Sequence, residues 1–321
     1  MTSSAAGGTP SGPAISVVIP VHNGESFLDE ALNSVAAQTF RDIEVLIVDD
    51  RSTDRTRAIA NAFCKREQRA RVLDSRGPGV AHARNTGIDF TRAPWVAILD
   101  HDDVWQPDKL AIQHKFVLAN PGVVGLGTWA YYIGTRGRVS GLYRIGATSI
   151  EASRTWRQQG HTPYLLVSSA LLHREAVLRC GGFAPEFDSA ADIVMWDRLA
   201  DLGDVVSIPI PLASYRVHST SMSSSRISFQ RRISRFLAHN LCARNEKRKE
   251  LTLAEFERLP SESDFFARMR HWREELGAAA YRNAGGHIAD GHWLRGGTAL
   301  LRAAFFSPAY VLGKLRTQRF R

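Results

Sequence analysis

Residues 97–107 read AILDHDDVWQP, with Asp100, Asp102 and Asp103 crowded around His101 just past an apolar run. Like charges this close repel unless something positive sits among them. Two aspartates one residue apart at the end of a strand can turn oxygens toward one divalent cation. Mg2+ or Mn2+ takes such hard ligands and keeps waters and substrate phosphates in its remaining positions. A metal ion carrying a diphosphate would therefore answer the repulsion. The plainer reading is an Asp-rich surface loop that caps the helix near Pro107.

The company these aspartates keep separates the two readings. ISVVIP (15–20), IEVLIVDD (43–50), RVLD (71–74) and WVAILD (95–100) are short, largely apolar runs with the length and composition of strands. Helical spacing lies between them. Leu28, Ala31, Leu32 and Val35 repeat on one face; Ser52 or Thr53 is placed to cap a helix through about Ala62; Gly77-Pro-Gly79 leads into another, and Pro107 suits a first turn. Apolar strands alternating with helices predict a mostly parallel α/β sheet covered on both faces, with the ligand site beyond the C-terminal strand ends. Pro20, His22, Asn23, Asp49, Asp50 and the aspartate cluster all fall at those ends, so three strands deliver polar groups to one edge. Beyond Ala119 the pattern loosens into a strand (VVGLGTWAYYIG), a turn-rich stretch, and a short helix stopping at Gly181-Gly182. A helix with Ile193, Trp196, Leu199 and Ala200 on one face follows, then VVSIPIP as a strand.

Four blocks in order, ISVVIPVHNGESFLDEALNSVAAQTF, IEVLIVDDRSTDRT, GPGVAHARNTGID and WVAILDHDDVWQPDKL, closely resemble the nucleotide-sugar-binding half of family 2 glycosyltransferases. The resemblance continues through FDSAADIVMWDRLADLG and YRVHSTSMS, covering roughly residues 14–222. It implies a GT-A fold and an inverting glycosyltransferase that uses a nucleotide-sugar donor, most simply a UDP-sugar. It implies that Pro20, His22, Asn23 and Glu25 lie around the base and ribose. Asp50 would accept a hydrogen bond from the base, and Arg84 would approach the nucleotide. Asp100 and Asp102 stand where the family has its DxD motif, Asp102 as the direct ligand of Mn2+ or Mg2+, and His218 matches a position that reaches the metal or diphosphate. Asp192 matches the catalytic base. Each has a bland alternative: His22 and Asn23 as turn formers, Asp50 as a cap, Arg84 paired with Asp89, and His218 as a structural residue.

The departures are specific. Ala191 stands where relatives often carry glutamate before the base. His22 replaces a frequent tyrosine, His101 a frequent serine or alanine, and Arg51 a usual glycine. The chemistry stays coherent: a carboxylate takes the proton of an acceptor hydroxyl as it attacks the anomeric carbon, while charge develops on a nucleoside diphosphate. A non-catalytic nucleotide-sugar-binding or scaffold protein is the alternative, supported by the missing glutamate alone. A dehydrogenase would need GxGxxG in the first turn, which here is VHNGES. A phosphohydrolase would leave the HNGE, DDRS and ARNTG blocks unexplained, and no nucleophile elbow is present.

The chain has 321 residues, 44% hydrophobic and 23% charged, as soluble globular proteins do, and a formal net charge of +9. Three scattered cysteines argue against a disulfide framework and fit a reducing, cytoplasmic compartment. The N-terminal MTSSAAGGTPSGP reads as a disordered tail (1–13) without the features of a signal peptide. The basic charge gathers after Arg226, in a helical extension (223–321) beyond the transferase domain (14–222). RISFQRRISRFLAHNLCARNEKRKE forms a basic amphipathic helix with Ile227, Ile233, Phe236, Leu237 and Leu241 on one side. The last thirty residues mix apolar clusters with arginines, as an interfacial helix does on an anionic membrane surface. The alternative is a subdomain that packs on the core or forms a homodimer. No zinc finger or aromatic RNA-binding signature points to nucleic acid. The acceptor, a glycan or lipid-linked glycan by resemblance, would meet the region 128–190, where His161, Tyr164 and His173 stand.

Overall fold

The chain is described by a computed structural model that covers residues 12–218, 227–259 and 265–317. Most of the expected N-terminal tail and the serine run 219–225 lie outside the described residues. Strands β1 (Ile15–Val21), β2 (Ile43–Asp49), β3 (Ala70–Asp74) and β4 (Trp95–Ile98) form one parallel unit, ordered β3-β2-β1-β4. Every residue of β1 and β2 is buried, which is why both strands read as unbroken apolar runs. Helices α1 (Leu28–Ala36), α2 (Thr56–Arg66) and α3 (Val80–Asp89) connect them. Leu28, Ala31, Leu32 and Val35 of α1 face the core as their spacing predicts. A Cβ on Gly87 of α3 would lie 2.3 Å from Val18, so only glycine lets this helix lie so close to β1.

Beyond β4 the parallel unit continues into a mixed half of the sheet. β5 (Val104–Trp105), α4 (Lys109–Ala119), β6 (Val123–Ile133), β7 (Val139–Tyr143), α5 (Ile150–Gln158), β8 (Leu171–His173), α6 (Arg174–Arg179), α7 (Ala191–Leu199) and β9 (Asp204–Arg216) follow. β8 runs antiparallel to both β4 and β6, β7 antiparallel to β6, and β5 antiparallel to β9, while β6 and β9 are parallel. A sharp turn, not a crossover helix, joins the end of β4 to β5, so β5 carries the aspartate loop straight onto β9.

After α7 and β9 come α8 (Ile227–Asn245), α9 (Leu253–Arg258), α10 (Phe265–Ala289), α11 (Trp293–Phe306) and α12 (Pro308–Thr317). Among its described residues the apolar side of α8 is spent inside the molecule: Ile233, Phe236 and Leu237 pack on Ala190, Ile193 and Val194 at the start of α7. Asp197 of α7, buried, locks this contact by accepting from Arg157 (2.5 Å), Arg244 (2.7 Å) and Thr162 (3.0 Å). Among the described residues no helix is long and apolar enough to cross a membrane.

The first two turns of the parallel unit are sewn together. Asn23 N–H donates to Ser52 Oγ, Thr53 N–H to Asn23 Oδ1, Gly24 N–H to Thr56 Oγ1, Glu25 N–H to Asp54 Oδ2 and Arg55 N–H to Glu25 Oε2. Ser52 and Thr53 thus serve the neighbouring turn instead of capping α2. Asp54 does the capping, through Thr56 N–H at 2.9 Å. Asn23 (φ 49°) and Arg51 (φ 57°) hold left-handed backbone. Asn tolerates that region; an arginine there is strained, which explains why glycine is usual at position 51. Left-handed backbone costs a non-glycine residue about 1–2 kcal/mol, while glycine loses roughly 0.5–1 kcal/mol more chain entropy on folding. Arg51→Gly should therefore raise stability by about 0.5–1 kcal/mol in urea denaturation; a loss of stability would mean that the turn is relaxed as it stands.

Candidate active site

Because β2, β1 and β4 are adjacent and parallel, their C-terminal ends open on one crevice, with β1 at the point where the strand order reverses. The polar groups expected there are brought together in two clusters and one wall.

The wall is the end of β1 and β2. Pro20 lies within β1, opposite Val48. His22 Nδ1 is 2.7 Å from the Asp50 carbonyl oxygen, and the side chains of Asn23 and Glu25 are engaged in the turn described above. Asp50 is buried. Its Oδ2 accepts from Gly79 N–H at 2.6 Å, while Oδ1 has no hydrogen-bond partner. Gly79 reaches it with φ 94°, backbone that the Gly-Pro-Gly turn permits.

The first cluster is Arg84, Asp100 and Asp192. Arg84 is buried and donates from Nη2 to Asp100 Oδ1 at 2.8 Å, not to Asp89, which pairs with Arg76. Its guanidinium lies over the Phe183 ring, 5.2 Å from the centroid, and its Nε has no partner. Asn85 fixes that ring by exchanging two hydrogen bonds with the Phe183 backbone, 2.7 and 2.8 Å. Asp192 sits in the first turn of α7 and accepts from Ile193 N–H at 2.9 Å. Burial pushes its carboxyl above the usual aspartate range; Arg84 pulls it back and Asp100 pushes it further up.

The second cluster is Asp102 and His218, with Asp102 Oδ2 2.9 Å from His218 Nε2. Burial raises the Asp102 carboxyl, but the His218 hydrogen bond and the charges of His101 and His218 outweigh it and leave the carboxyl below its ordinary value. Asp103 is different. Fully buried beside Asp102 and Asp100, it is held well above the carboxylate range, even though its Oδ1 accepts from Arg216 N–H at 2.7 Å. Among the described residues, no three His, Cys, Asp or Glu groups are arranged to hold a metal.

Arg216 escaped the sequence reading, although it stands two residues before His218. Its side chain has no exposed surface. Nε donates to the Asp102 carbonyl (2.7 Å), Nη1 to the carbonyls of Gly134 (2.9 Å) and Thr135 (3.2 Å), and Nη2 to Glu30 Oε2 (2.6 Å). Its guanidinium lies 4.7 Å from the centroid of Phe27, whose ring in turn meets His218 at 5.4 Å. Ser168 is a second missed support, accepting from Asp100 N–H at 3.2 Å. Of the acceptor-side candidates, Tyr164 lies near Asp192 and is raised mainly by burial. His161 is exposed. His173 pairs with Trp95 at the opposite end of β4, away from the crevice.

Residues 16–181 match the sequence profile described as Glycosyl transferase family 2. An uncharacterized glycosyltransferase of Rickettsia conorii (strain ATCC VR-613 / Malish 7) is 42% identical over 106 residues, 33% of this chain and 17% of that protein. The chain spans only 17–48% of the length of that relative and of four others that are 33–41% identical. Among solved structures, S. aureus TarS 1–349 in complex with UDP-GlcNAc is similar at TM-score 0.57 and 17% identity, covering 96% of this chain and 93% of that one. The mannosyltransferase PcManGT from Pyrobaculum calidifontis, in complex with GDP-Man and Mn2+, is similar at TM-score 0.54 and 20% identity, covering 95% and 79%. At these identities the likeness is one of fold, and that fold is GT-A.

Arg216 holds four acceptors with a planar fork that lysine cannot reproduce. Breaking a buried charged network from one side typically costs about 3–5 kcal/mol. Arg216→Lys should therefore lose several kcal/mol in chemical denaturation. A loss below about 1 kcal/mol would show that the aspartate loop does not depend on this fork.

Proposed function

Since the chain belongs to glycosyl transferase family 2 and is a glycosyltransferase, we propose that it moves a sugar from a UDP-sugar to an acceptor hydroxyl by direct displacement with inversion. The acceptor is a glycan or lipid-linked glycan, residues 14–222 carry the chemistry, and the basic extension 223–321 keeps the chain at the inner face of a membrane. One observation carries the reading: Asp192, Arg84 and Asp100 form one cluster, and Asp102 with His218 another, on the crevice at the ends of β1, β2 and β4. The nucleotide sugars named with the two structural neighbours, UDP-GlcNAc and GDP-Man, support a donor of this class.

In this reading Oδ1 of Asp50, which has no hydrogen bond and only a long ion pair to Arg51 (3.9 Å), accepts from the uracil N–H, and Pro20, His22, Asn23 and Glu25 line the base and ribose. Arg84, already neutralised on one side by Asp100, has an unpartnered Nε for the nucleotide. The donor set at Asp102 and His218 fits Mn2+ or Mg2+: one carboxylate oxygen and one imidazole nitrogen, 2.9 Å apart, can converge on one ion. Two protein ligands leave the other positions to diphosphate oxygens and water. A divalent cation bound there would neutralise charge developing on the leaving diphosphate.

Asp192 takes the acceptor proton as the hydroxyl oxygen bonds to the anomeric carbon from the face opposite the diphosphate. The bond from that carbon to the diphosphate oxygen breaks, and its electron pair leaves with the nucleotide. Burial suits Asp192 to this role, because a carboxylate raised toward the working pH is a stronger base. The sign of the pH dependence follows. Only the ionised form accepts a proton, so transfer should fall as pH drops through the raised pKa, at higher pH than for an ordinary aspartate.

Asp192→Asn keeps size and helix-capping ability while removing basicity. Donor affinity should stay near wild type while transfer falls roughly a hundred- to ten-thousandfold, both read on one preparation with a panel of UDP-sugars. Near-normal transfer would remove Asp192 from the mechanism.

A further inference from the structure

Among the described residues the apolar side of α8, Ile233, Phe236, Leu237 and Leu241, is buried in the molecule. That of α11 is exposed. At roughly 100° per residue, Trp293, Leu301, Leu294 and Phe305 fall within one arc of about 120° on its surface. They are 70%, 72%, 89% and 73% exposed. Gly296 and Ala303, on the opposite side, are the buried residues, and there a Cβ on Gly296 would meet Ile288 of α10 at 2.5 Å. The stripe is therefore an outward face left over after α11 has packed. Leu312 of α12 adds to the exposed apolar surface nearby in sequence.

Charge selects the partner. From residue 291 to the C-terminus the chain carries Arg295, Arg302, Lys314, Arg316, Arg319 and Arg321 and no acidic residue. Arg295 and Arg302 lie together along one edge of the stripe, roughly 60–80° beyond Phe305 at 100° per residue, and, with Asn283, His287 and Thr298, line a recess of about 290 Å³ between α10 and α11. Two copies meeting face to face would oppose these arginines to one another with no carboxylate in the segment to pair them. An anionic lipid surface fits both features, since it takes the apolar stripe among its acyl chains and the arginines among its phosphates. With 14 residues α11 is about 21 Å long, short of the roughly 30 Å hydrocarbon layer, so it would lie in the plane of the surface.

We propose that α11 is an interfacial helix that seats the enzyme on an anionic bilayer. Its position ties that seat to the crevice. Asp290, just before α11, accepts from Thr135 N–H (2.6 Å) and Oγ1 (2.7 Å), and the Thr135 carbonyl is one of the acceptors gripped by Arg216. The proposal deepens the membrane part of the functional reading and does not rest on sugar transfer, which UDP binding reports separately.

The test is co-sedimentation of the full chain with phosphatidylcholine vesicles, with and without phosphatidylglycerol. The wild type should bind only the anionic vesicles at low salt and be released as salt rises. Leu294→Ser/Leu301→Ser/Phe305→Ser should abolish binding. Arg295→Gln/Arg302→Gln should weaken it by about fivefold per arginine. Both variants should keep the wild-type melting temperature and UDP affinity, because the side chains are exposed and remote from the donor residues. Indifference of the wild type to anionic vesicles at low salt, or wild-type binding by the triple variant, would overturn the proposal. So would a dimer seen by light scattering that the triple variant dissolves without any vesicle binding; the occupant would then be a second copy.

Discussion

Arg216 is the constraint around which this site is built. A guanidinium without exposed surface survives only if its donors are met, because leaving a charged group unpaired in a low-dielectric interior is expensive. Here they are met by the carbonyl of Asp102, two carbonyls of the β6–β7 turn and Glu30 of α1, while its own N–H holds Asp103. One side chain thus joins the aspartate loop, the end of β9 and the first helix. His218 follows two residues later and is delivered to Asp102 as a consequence. The sheet adds a second restraint, since β5 pairs with β9 immediately beyond the loop.

That framework lets three neighbouring carboxylates coexist by giving each a different environment. Asp100 is neutralised by Arg84. Asp102 keeps its charge against His218. Asp103 is buried and driven toward the protonated form by the other two. The positive charge that the sequence demands is therefore supplied partly by the protein itself, through Arg84, while His218 meets Asp102 by a hydrogen bond. Arg84 and Asp100 both act electrostatically on Asp192, so in the proposed mechanism donor binding at Arg84 and the basicity of Asp192 would be coupled. Arg84 opposes the burial that raises Asp192, and a change in what Arg84 touches would be felt by the base.

What was legible in the sequence was local. Strands β1, β2 and β4 are fully buried runs, so composition alone reveals them, and parallel neighbours must place Asp50 and Asp100 at the same edge. The strained residue at position 51 was visible as an odd arginine in a turn, although its left-handed backbone was not. The missed features pair residues far apart in the chain. Arg216 meets Glu30 across 186 positions, and no spacing rule reaches that far. Asp197, whose partners Arg157, Thr162 and Arg244 lie 40, 35 and 47 positions away, is another such residue. The antiparallel half of the sheet is illegible for another reason: β5 and β8 are two and three residues long, too short to show a period. In the extension, the apolar pattern of α8 resembled that of a surface-seeking helix, and only packing against α7 shows where it is used.

The central claim is that Asp102 and His218 form half of a cation site that a nucleoside diphosphate completes. Calorimetric titration of UDP into the wild-type chain and Asp102→Ala, each with Mn2+ or with EDTA, addresses it directly. Two protein ligands hold a cation weakly, so ion and nucleotide should bind cooperatively. The wild type should take UDP at least about tenfold more tightly with Mn2+, and Asp102→Ala should lose that difference while retaining the metal-independent part carried by Asp50. Equal UDP affinity in all four conditions would contradict the account.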